Sequence, residues 1–545
     1  ENDNNLLDTI LNKDSLAELT EQEKNVLWKR RDDCLNYPHS LPKLLQAVNW
    51  SNKADILEMY CLLFKWPLIK PMQAMELLSS VYADLEVRKF ACKSLEKYMK
   101  DEEIEYYLLQ LVQALKNEPY CDNSLCRFLL KRAIKNQRIG FILFWSLRSE
   151  ITKPKYKFKF GLLLEAFCRS LNKAQLKSVI KQIEVVEKLS NLAHEIKSNP
   201  SNLTLIRSSF LSDTLLKPEN RLNLSNFISP LNRSILLGLL EATKCKILAS
   251  AKRPLLLSWT NEIKYCEFYD KNFQLIFKKG DDLRQDMLTI QALRLMDILW
   301  KNEGLDLKML IYDCFSTGYK TGFIQVIKNS MTLFKIQMKG GMKSTYQIDT
   351  LQLYKWIAAH NTDSGQLDKA IELFTRSCAG FCVATFILGI ADRHPDNIMV
   401  NRHGQIFHID FGHFLGHFKK KYGIKRERVP FVLTEDFTRV IAKGSVNSSE
   451  SAEFKRFKNL CELAYMTIRK YSHLIINLFT MMLSSDMTEL QSIEDILFLR
   501  KTLAIDEPYD KALEFFRNQF NEAYRRSFTT KIDWMCHALN KKNLI

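Results

Sequence analysis

The sequence predicts a multidomain chain: an all-α helical solenoid followed by a two-lobed α+β domain. Three observations carry this. Residues 1–200 hold two glycines, Gly140 and Gly161, whereas the remaining 345 hold fifteen. Tight loops between strands need glycine where φ is positive, and stacked helices mostly do not. The first part also shows helical periodicity with short links, and β-branched apolar runs begin only near residue 235.

In the stretch 102–119, EEIEYYLLQLVQALKNEP, residues Ile104, Leu108, Leu111, Val112 and Leu115 fall on one face. Asp101 can cap its start and Pro119 stops it. SLCRFLLKRAIKNQ and IGFILFWSLRSE predict two further helices, and their short connections favour antiparallel neighbours. No strict repeat is present. NFQLIFKKG (272–280) and FIQVIKNS (323–330) predict strands, and from about residue 368 the pattern is mostly helical again. The expected division is a linker at 1–12, a helical domain at 13–175, an N-lobe at 176–324 and a C-lobe at 325–545.

A chain of 545 residues is too long for one core, so about two to four domains are expected. The longest apolar run, Phe381 to Ala391, is interrupted by Thr385 and Gly389, short of a membrane span, and predicts a buried element. The start ENDNNLLD has neither the pattern of a signal peptide nor an initiator Met, which suggests a fragment of a longer protein. Thirteen Cys without CxxC pairs point to reduced thiols rather than zinc or disulfides. A net charge of +17 admits an anionic membrane, a phosphorylated substrate, nucleic acid or a merely soluble surface, so its placement must decide.

The densest chemistry lies in GIADRHPDNIMVNRHGQIFHIDFGH, 389–413. Ile398-Met399-Val400 predicts a strand, Asn401 to Gly404 a turn, and 405–409 the returning strand. Closing that hairpin sets Asn397 opposite Asp410, about 5 Å apart between Cα atoms. An amide oxygen and a carboxylate at one point suit Mg²⁺, which takes its remaining ligands from phosphate and water. Asp392 stands five residues before Asn397. DxxxxN followed by Asp-Phe-Gly is the protein-kinase catalytic arrangement and points to phosphoryl transfer from ATP. His394 titrates near neutral pH and His413 follows Asp-Phe-Gly, so Asp392, His394 and His413 all stand as candidates for the base. The favoured reading has His394 taking or relaying the proton, with Asp392 orienting it and Arg393 stabilising phosphate or the loop. His403 and His408 are expected to be structural.

The order Asp-Arg-His, rather than His-Arg-Asp, resembles the phosphoinositide 3-kinase superfamily. KGDDLRQDMLTIQALRLMD (279–297), ASAKRP (249–254), TRSCAGFCVATFILGIADRH, HIDFGHFLGHFKKKYGIKRERVPFVLT and TTKIDWMCHALN look like a class I phosphoinositide 3-kinase catalytic subunit. The tail and LAELTEQEKNVLW most resemble the alpha-like form of class IA, and the resemblance spans essentially the whole chain. It implies a protein-kinase-like lipid kinase domain, with catalytic loop 389–398, activation segment 410–434 and a membrane-facing C-terminal helix. It implies that Ser250, Ala251 and Lys252 form the phosphate loop and that Lys278 meets the α-phosphate. Asp286 and Tyr312 would line the inner adenine pocket, and Ile324, Gln325, Val326 and Ile327 the hinge, where the family commonly has Glu in place of Gln325. Leu248, Ile276, Met399, Phe407 and Ile409 would form apolar walls, and Leu256 stands where the alpha form has Trp.

Lys419, Lys420, Lys421, Lys425, Arg426 and Arg428 crowd the activation segment against Glu427. Two basic clusters suit a headgroup carrying extra phosphates. In the family they accompany use of phosphatidylinositol 4,5-bisphosphate. The resemblance therefore implies phosphorylation of its 3-hydroxyl with ATP and Mg²⁺, in growth-factor or insulin-type receptor signalling. The alternatives are a protein Ser/Thr kinase of the same superfamily, a kinase for unphosphorylated phosphatidylinositol, or a helical scaffold with a dead kinase. Trp534 and Met535, in an amphipathic tail, suit an anionic bilayer carrying phosphoinositides or packing on the kinase. Glu18, Glu21 and Gln22 suggest a shared helix face or first turn. By resemblance they would meet a Src-homology-2 domain of a regulatory subunit. Adaptor-binding, Ras-binding and lipid-binding domains are expected before residue 1, the second giving a Ras-type GTPase partner. No nucleic-acid partner is expected. The expected location is cytoplasmic, with recruitment to the plasma membrane.

Overall fold

A computed structural model describes all residues except 1, 12, 199–203, 251, 263–271, 340–349, 418–419, 422–423, 426–428, 527–529, 531–533 and 535–545. The chain forms two compact units. The first comprises Glu1–Gly280, Ser316–Phe323 and Ile476–Asp486; the second comprises Asp281–Phe315, Ile324–Ile475 and Met487–Ile545.

The first unit opens with a helix at Asn2–Leu11, where the sequence suggested a linker. A series of helices follows, including Leu85–Tyr98, Asp101–Ala114, Ser124–Lys135, Gln137–Glu150 and Lys157–Ser170. The predicted apolar face at Ile104, Leu108, Leu111, Val112 and Leu115 is buried. Asp101 is not the cap. Lys100 holds that position, with Glu103 accepting from its backbone N–H, and Asp101 instead binds Arg132 and Asn136 on the next helix. The carboxylate is thus used between helices rather than at a helix start.

The 26-residue helix Lys173–Ser198 buries Val179, Gln182, Val186, Leu189, Ala193 and Ile196. That alternation of three and four makes one continuous stripe. The helix packs on the strands Phe227–Ile228 and Asn272–Lys279 of a seven-stranded sheet. In sheet order the strands are Phe227–Ile228, Leu236–Leu240, Leu255–Asn261, Asn272–Lys279, Thr321–Gln325 and Cys314–Gly318, with Lys246–Ile247 also beside Leu255–Asn261. The helical stack and most of this sheet cluster together, so the boundary expected at 175/176 falls in the first turn of a shared helix.

The second unit is built round the helix Ser364–Leu388. It is long and apolar enough to cross a membrane, but 83% of that window is buried inside the unit, so it is a core helix. Gly389 ends it at φ +57°, where an added Cβ would stand 2.6 Å from the Gly416 nitrogen. Only glycine fits both demands. The segment FIQVIKNS is not one strand. It splits into Thr321–Gln325 and Ser330–Thr332, with Asn329 left-handed at φ +54° between them. The second piece joins the predicted hairpin in a three-stranded sheet.

Candidate active site

The hairpin forms from Ile398–Asn401 and Ile406–His408, with Val400 opposite Ile406 and Ile398 opposite His408. Its turn is fixed by Asn401, whose Oδ1 accepts the backbone N–H groups of His403 and Gln405, both at 3.0 Å. Gly404, at φ +95°, lies where a Cβ would meet the Ala370 carbonyl at 2.3 Å. At the open end the pairing differs from the sequence expectation by one residue. The Ile409 N–H donates to the Asn397 carbonyl at 3.0 Å, so Asn397 lies opposite Ile409 and not Asp410. Asp410 then leaves the ladder in the left-handed region, φ +59°, with its residue exposed.

Asp392 is also left-handed, at φ +57°. Two non-glycine residues held this way within one loop and strand end are the backbone strain expected at a working site. Arg393, between them in sequence, ties the Asp410 backbone to the loop that carries Asp392. It is 8% exposed. Its Nε donates to the Ala391 carbonyl at 2.9 Å, Nη1 to Ile409 at 2.8 Å and Asn397 at 3.5 Å, and Nη2 to the Asp410 carbonyl. Of the two roles expected for Arg393, phosphate or the loop, these bonds serve the loop, so it is a positioning residue rather than a catalytic one. Burial lowers its pKa, opposed by the charges of Asp410 and Asp392. The Asn397 Nδ2 donates to the Asp392 carbonyl at 2.9 Å, which fixes the amide orientation and makes Oδ1 the atom that could accept a cation.

Asp-Phe-Gly is gripped from the helix Leu283–Asn302. Asp286 accepts the Phe411 N–H at 3.0 Å, and Gln285 donates to the Gly412 carbonyl at 3.1 Å. Tyr312 stacks on Phe411 at 6.3 Å with the rings 8° apart. Burial, then the charge of Asp286, pushes the Tyr312 phenol up, so it stays neutral. Asp286 and Tyr312, expected in the adenine pocket, thus contact the Asp-Phe-Gly segment. His413 binds Glu489 through Nδ1, and the Glu489 Oε2 accepts the Phe414 N–H at 2.8 Å. Gln285 and Glu489 are the site residues the sequence did not single out. Gln285 adjoins Asp286 in a quoted motif, but Glu489 lies 76 residues from His413 and gives no local signal.

His394 and Asp392 approach to 3.9 Å between Nε2 and Oδ2, beyond hydrogen-bond reach. His408 is structural, as expected: it stacks on Phe381 at 5.0 Å, and burial pulls its pKa down so that it stays neutral. His403 is exposed on the turn. In the hinge, Ile324, Gln325, Val326 and Ile327 are half-buried. Gln325 Oε1 accepts the Asp313 N–H at 2.9 Å, so this side chain braces the backbone. Met399 and Ile409 are half-buried and Phe407 is buried.

The first unit carries the remaining nucleotide candidates. Lys278 is buried on the strand Asn272–Lys279. Lys279, on the opposite face, is half-buried and donates to the Ser190 carbonyl at 2.9 Å. Ser250 and Lys252 are exposed, and the Arg253 N–H closes a turn onto the Ser250 carbonyl at 2.9 Å. Leu248 and Ile276 are half-buried and Leu256 is buried. Glu18, Glu21 and Gln22 are exposed. Glu18 precedes the helix Glu21–Lys29, which Thr20 caps with Glu23 in a capping box, so Glu18 and Glu21 share no helix turn.

In the activation segment, Lys420–Lys421 and Ile424–Lys425 form a two-stranded ribbon in which Lys420 lies opposite Lys425. Lys419, Arg426 and Arg428 lie outside the described residues, as does Met535. The reading of Trp534 as a membrane residue is corrected. It is 6% exposed, and its Nε1 donates to the Arg393 carbonyl at 3.0 Å, so the indole packs on the catalytic loop.

Among the described residues no group of three or more His, Cys, Asp or Glu converges. The exposed Asp410 carboxylate and the oriented Asn397 oxygen fit an ion that keeps most of its shell as water and phosphate, as Mg²⁺ does.

Comparison with known proteins agrees with this geometry. Residues 272–492 match the family Phosphatidylinositol 3- and 4-kinase, and residues 1–181 match the Phosphoinositide 3-kinase family accessory (PIK) domain. The chain is 41% identical over 529 residues to Phosphatidylinositol 3-kinase 1 of Dictyostelium discoideum, covering 96% of the chain and 32% of the relative. It is 39% identical over 543 residues to Phosphatidylinositol 3-kinase 3 of the same organism, covering 99% of the chain and 31% of the relative. The chain thus spans about a third of the length of these curated relatives.

Proposed function

Since the chain belongs to the phosphatidylinositol 3-kinase family, with its PIK accessory domain and its catalytic domain, we propose that it transfers the γ-phosphoryl group of ATP to the 3-hydroxyl of phosphatidylinositol 4,5-bisphosphate. The observation that carries phosphoryl transfer is the loop itself: Asp392 and Asp410 are in left-handed backbone, Arg393 bonds the carbonyls of Ile409 and Asp410, and the Asn397 amide is oriented by the Asp392 carbonyl. Asn397 and Asp410 would hold Mg²⁺, which when bound neutralises phosphate charge. Lys278, by the resemblance, takes the α-phosphate, and Ser250 and Lys252 the outer phosphates. Asp286, Gln285 and Tyr312 keep Asp-Phe-Gly in one conformation.

The bisphosphate headgroup is supported by the ribbon register. The register pairs Lys420 with Lys425, so lysine occupies matched positions of both strands, a basic sequence pattern that suits an anionic headgroup. Glu18, Glu21 and Gln22 form an exposed acidic patch suited to a regulatory subunit carrying Src-homology-2 domains. A Ras-type GTPase would act through another domain, and a cytoplasmic enzyme would be drawn to the plasma membrane by its substrate.

The test supplies labelled ATP, Mg²⁺ and vesicles of phosphatidylinositol 4,5-bisphosphate, beside vesicles of unphosphorylated phosphatidylinositol and a protein acceptor. The expected product is 3-phosphorylated bisphosphate lipid. Label on phosphatidylinositol in preference, or on protein alone, would transfer the assignment to those acceptors. Absence of any labelled lipid would overturn it.

A further inference from the structure

We infer that Glu489 is a positioning residue for catalysis: it fixes the tautomer of His413 so that His413 Nε2 takes the proton of the acceptor hydroxyl. The inference rests on the phosphoryl-transfer reading above and decides among the three candidate bases.

The observations lie in one unit. Glu489 is 8% exposed, although a carboxylate is ordinarily left in water. Both its oxygens are used. Oε1 meets His413 Nδ1, and Oε2 accepts the Phe414 N–H at 2.8 Å. A bridge between Met487 and Leu490, both fully buried, fixes the backbone on either side of it. The backbone that carries the imidazole is held as well. The His413 carbonyl accepts the Ala391 N–H at 3.1 Å, tying it to the catalytic loop, and the preceding Gly412 carbonyl accepts from Gln285.

An ionised carboxylate is acceptor-only, so His413 Nδ1 carries the hydrogen and Nε2, on the opposite edge of the ring, has the lone pair. This is the logic by which a buried carboxylate orients a histidine base in hydrolases. The rival pair lacks it: His394 Nε2 and Asp392 Oδ2 stand 3.9 Å apart. The His413 side chain is also the most open of the three, at 31% against 19% for His394 and 16% for Asp392. In the step itself the acceptor O–H bond breaks and its proton goes to His413 Nε2. The hydroxyl oxygen forms a bond to the γ-phosphorus, and the bond from that phosphorus to the bridging oxygen breaks, with the electron pair leaving on ADP. Glu489 then stabilises the imidazolium.

The experiment is steady-state kinetics of the full chain with phosphatidylinositol 4,5-bisphosphate vesicles. Glu489→Gln, His413→Ala and the double variant are compared with wild type. Gln keeps an oxygen for the Phe414 N–H while offering an amide to His413, which removes the fixed tautomer. The expected loss in kcat is about 10²-fold for Glu489→Gln, with KM for ATP within about twofold. In the His413→Ala background the same substitution should cost less than about threefold, because the two residues act as one unit. An equal loss in both backgrounds, or a rise in KM at unchanged kcat, would show a packing role and overturn the inference. If Glu489→Gln does not yield folded protein, Glu489→Asp replaces it: it keeps the charge but shortens the reach, with the same expected dependence on His413. An inactive wild type would overturn the lipid-kinase reading, and this inference with it. An active wild type with additive variants would overturn the pairing alone.

Discussion

Two buried arginines hold two regions of this chain, and they differ in what answers their charge. Arg88, in the helical stack, is 2% exposed and donates to four carbonyls, those of Leu78, Ser79, Tyr82 and Ala114. Its Nε also meets Glu118 at 2.6 Å, and Glu118 is itself buried. That site is closed. Arg393, at the catalytic loop, also spends its donors on carbonyls, but the carboxylates beside it, Asp392 and Asp410, belong to residues in left-handed backbone. The Asp410 residue is exposed rather than folded back. The scaffold arginine is answered by a carboxylate that it hydrogen-bonds; the loop arginine instead bonds the backbone of the segments that carry Asp392 and Asp410. This contrast separates support from chemistry more sharply than sequence spacing does.

The largest effect tests the open side of the contrast. Asp410→Ala should reduce lipid phosphorylation by at least about 10³-fold, through loss of a metal ligand that works on the transition state. Its unfolding free energy should fall by only about 1–2 kcal/mol, the cost of alanine in left-handed backbone. Radiolabel transfer and chemical denaturation measure both. Retained transfer would remove Asp410 from the metal site.

Next come the arginines themselves. Arg88→Met leaves Glu118 buried without its partner and should cost about 3–5 kcal/mol of stability, with kcat within twofold wherever the protein stays folded. Arg393→Met leaves carbonyls rather than a carboxylate, so it should cost less, about 1–3 kcal/mol. Its kcat should nevertheless fall by about 10²-fold, since Asp392, Asn397 and Asp410 lose their common clip. If the two variants lost kcat equally, the division between scaffold and site would fail.

Trp534 defines a smaller effect. Trp534→Phe removes one hydrogen bond to the Arg393 carbonyl and should cost about 0.5–1.5 kcal/mol. As the indole is buried on the loop, affinity for anionic vesicles should stay within about twofold. A tenfold loss of vesicle binding would return Trp534 to the membrane.

Much of this was legible in the sequence, because local pattern and chain order carry it. The hairpin, its turn at Asn401–Gly404 and the helices of the first unit are all encoded within a few residues of one another. Other features were not, for stated physical reasons. The one-residue offset at Asn397 is set by the hairpin register, with Ile398 opposite His408, and the left-handed φ of Asp410 is something no non-glycine sequence advertises. The sequence left Arg393 and Trp534 between two roles each, because a cation and an amphipathic indole look alike whether they meet solvent, lipid or backbone carbonyls. Glu489 was missed because its partner is brought to it only by the tertiary fold.

The helical stack has one place where its charge is less completely answered than at Arg88, and there the effect is a dependence on pH. Glu76 hydrogen-bonds to Asn477, with Lys43 and Asp14 close by. Burial raises its pKa from 4.5 to about 7, opposed first by the charge of Lys43. Lys43 gives little more, since its Nζ already donates to the Asp14 carbonyl at 2.6 Å, and the Asn477 oxygen is taken by the Ser15 hydroxyl at 2.6 Å. Between pH 4.5 and about 7 the folded state therefore keeps a proton that the unfolded chain has lost. Stability falls as pH rises through that window, and above it the loss is complete. Glu76→Gln removes this titration while keeping a polar group for Asn477. The variant should gain on wild type as the pH is raised from about 5 to about 7.5, a change read from urea midpoints at the two values. A difference that is the same at both would mean that Glu76 stays ionised in the fold, closed by Lys43 much as Glu118 is by Arg88.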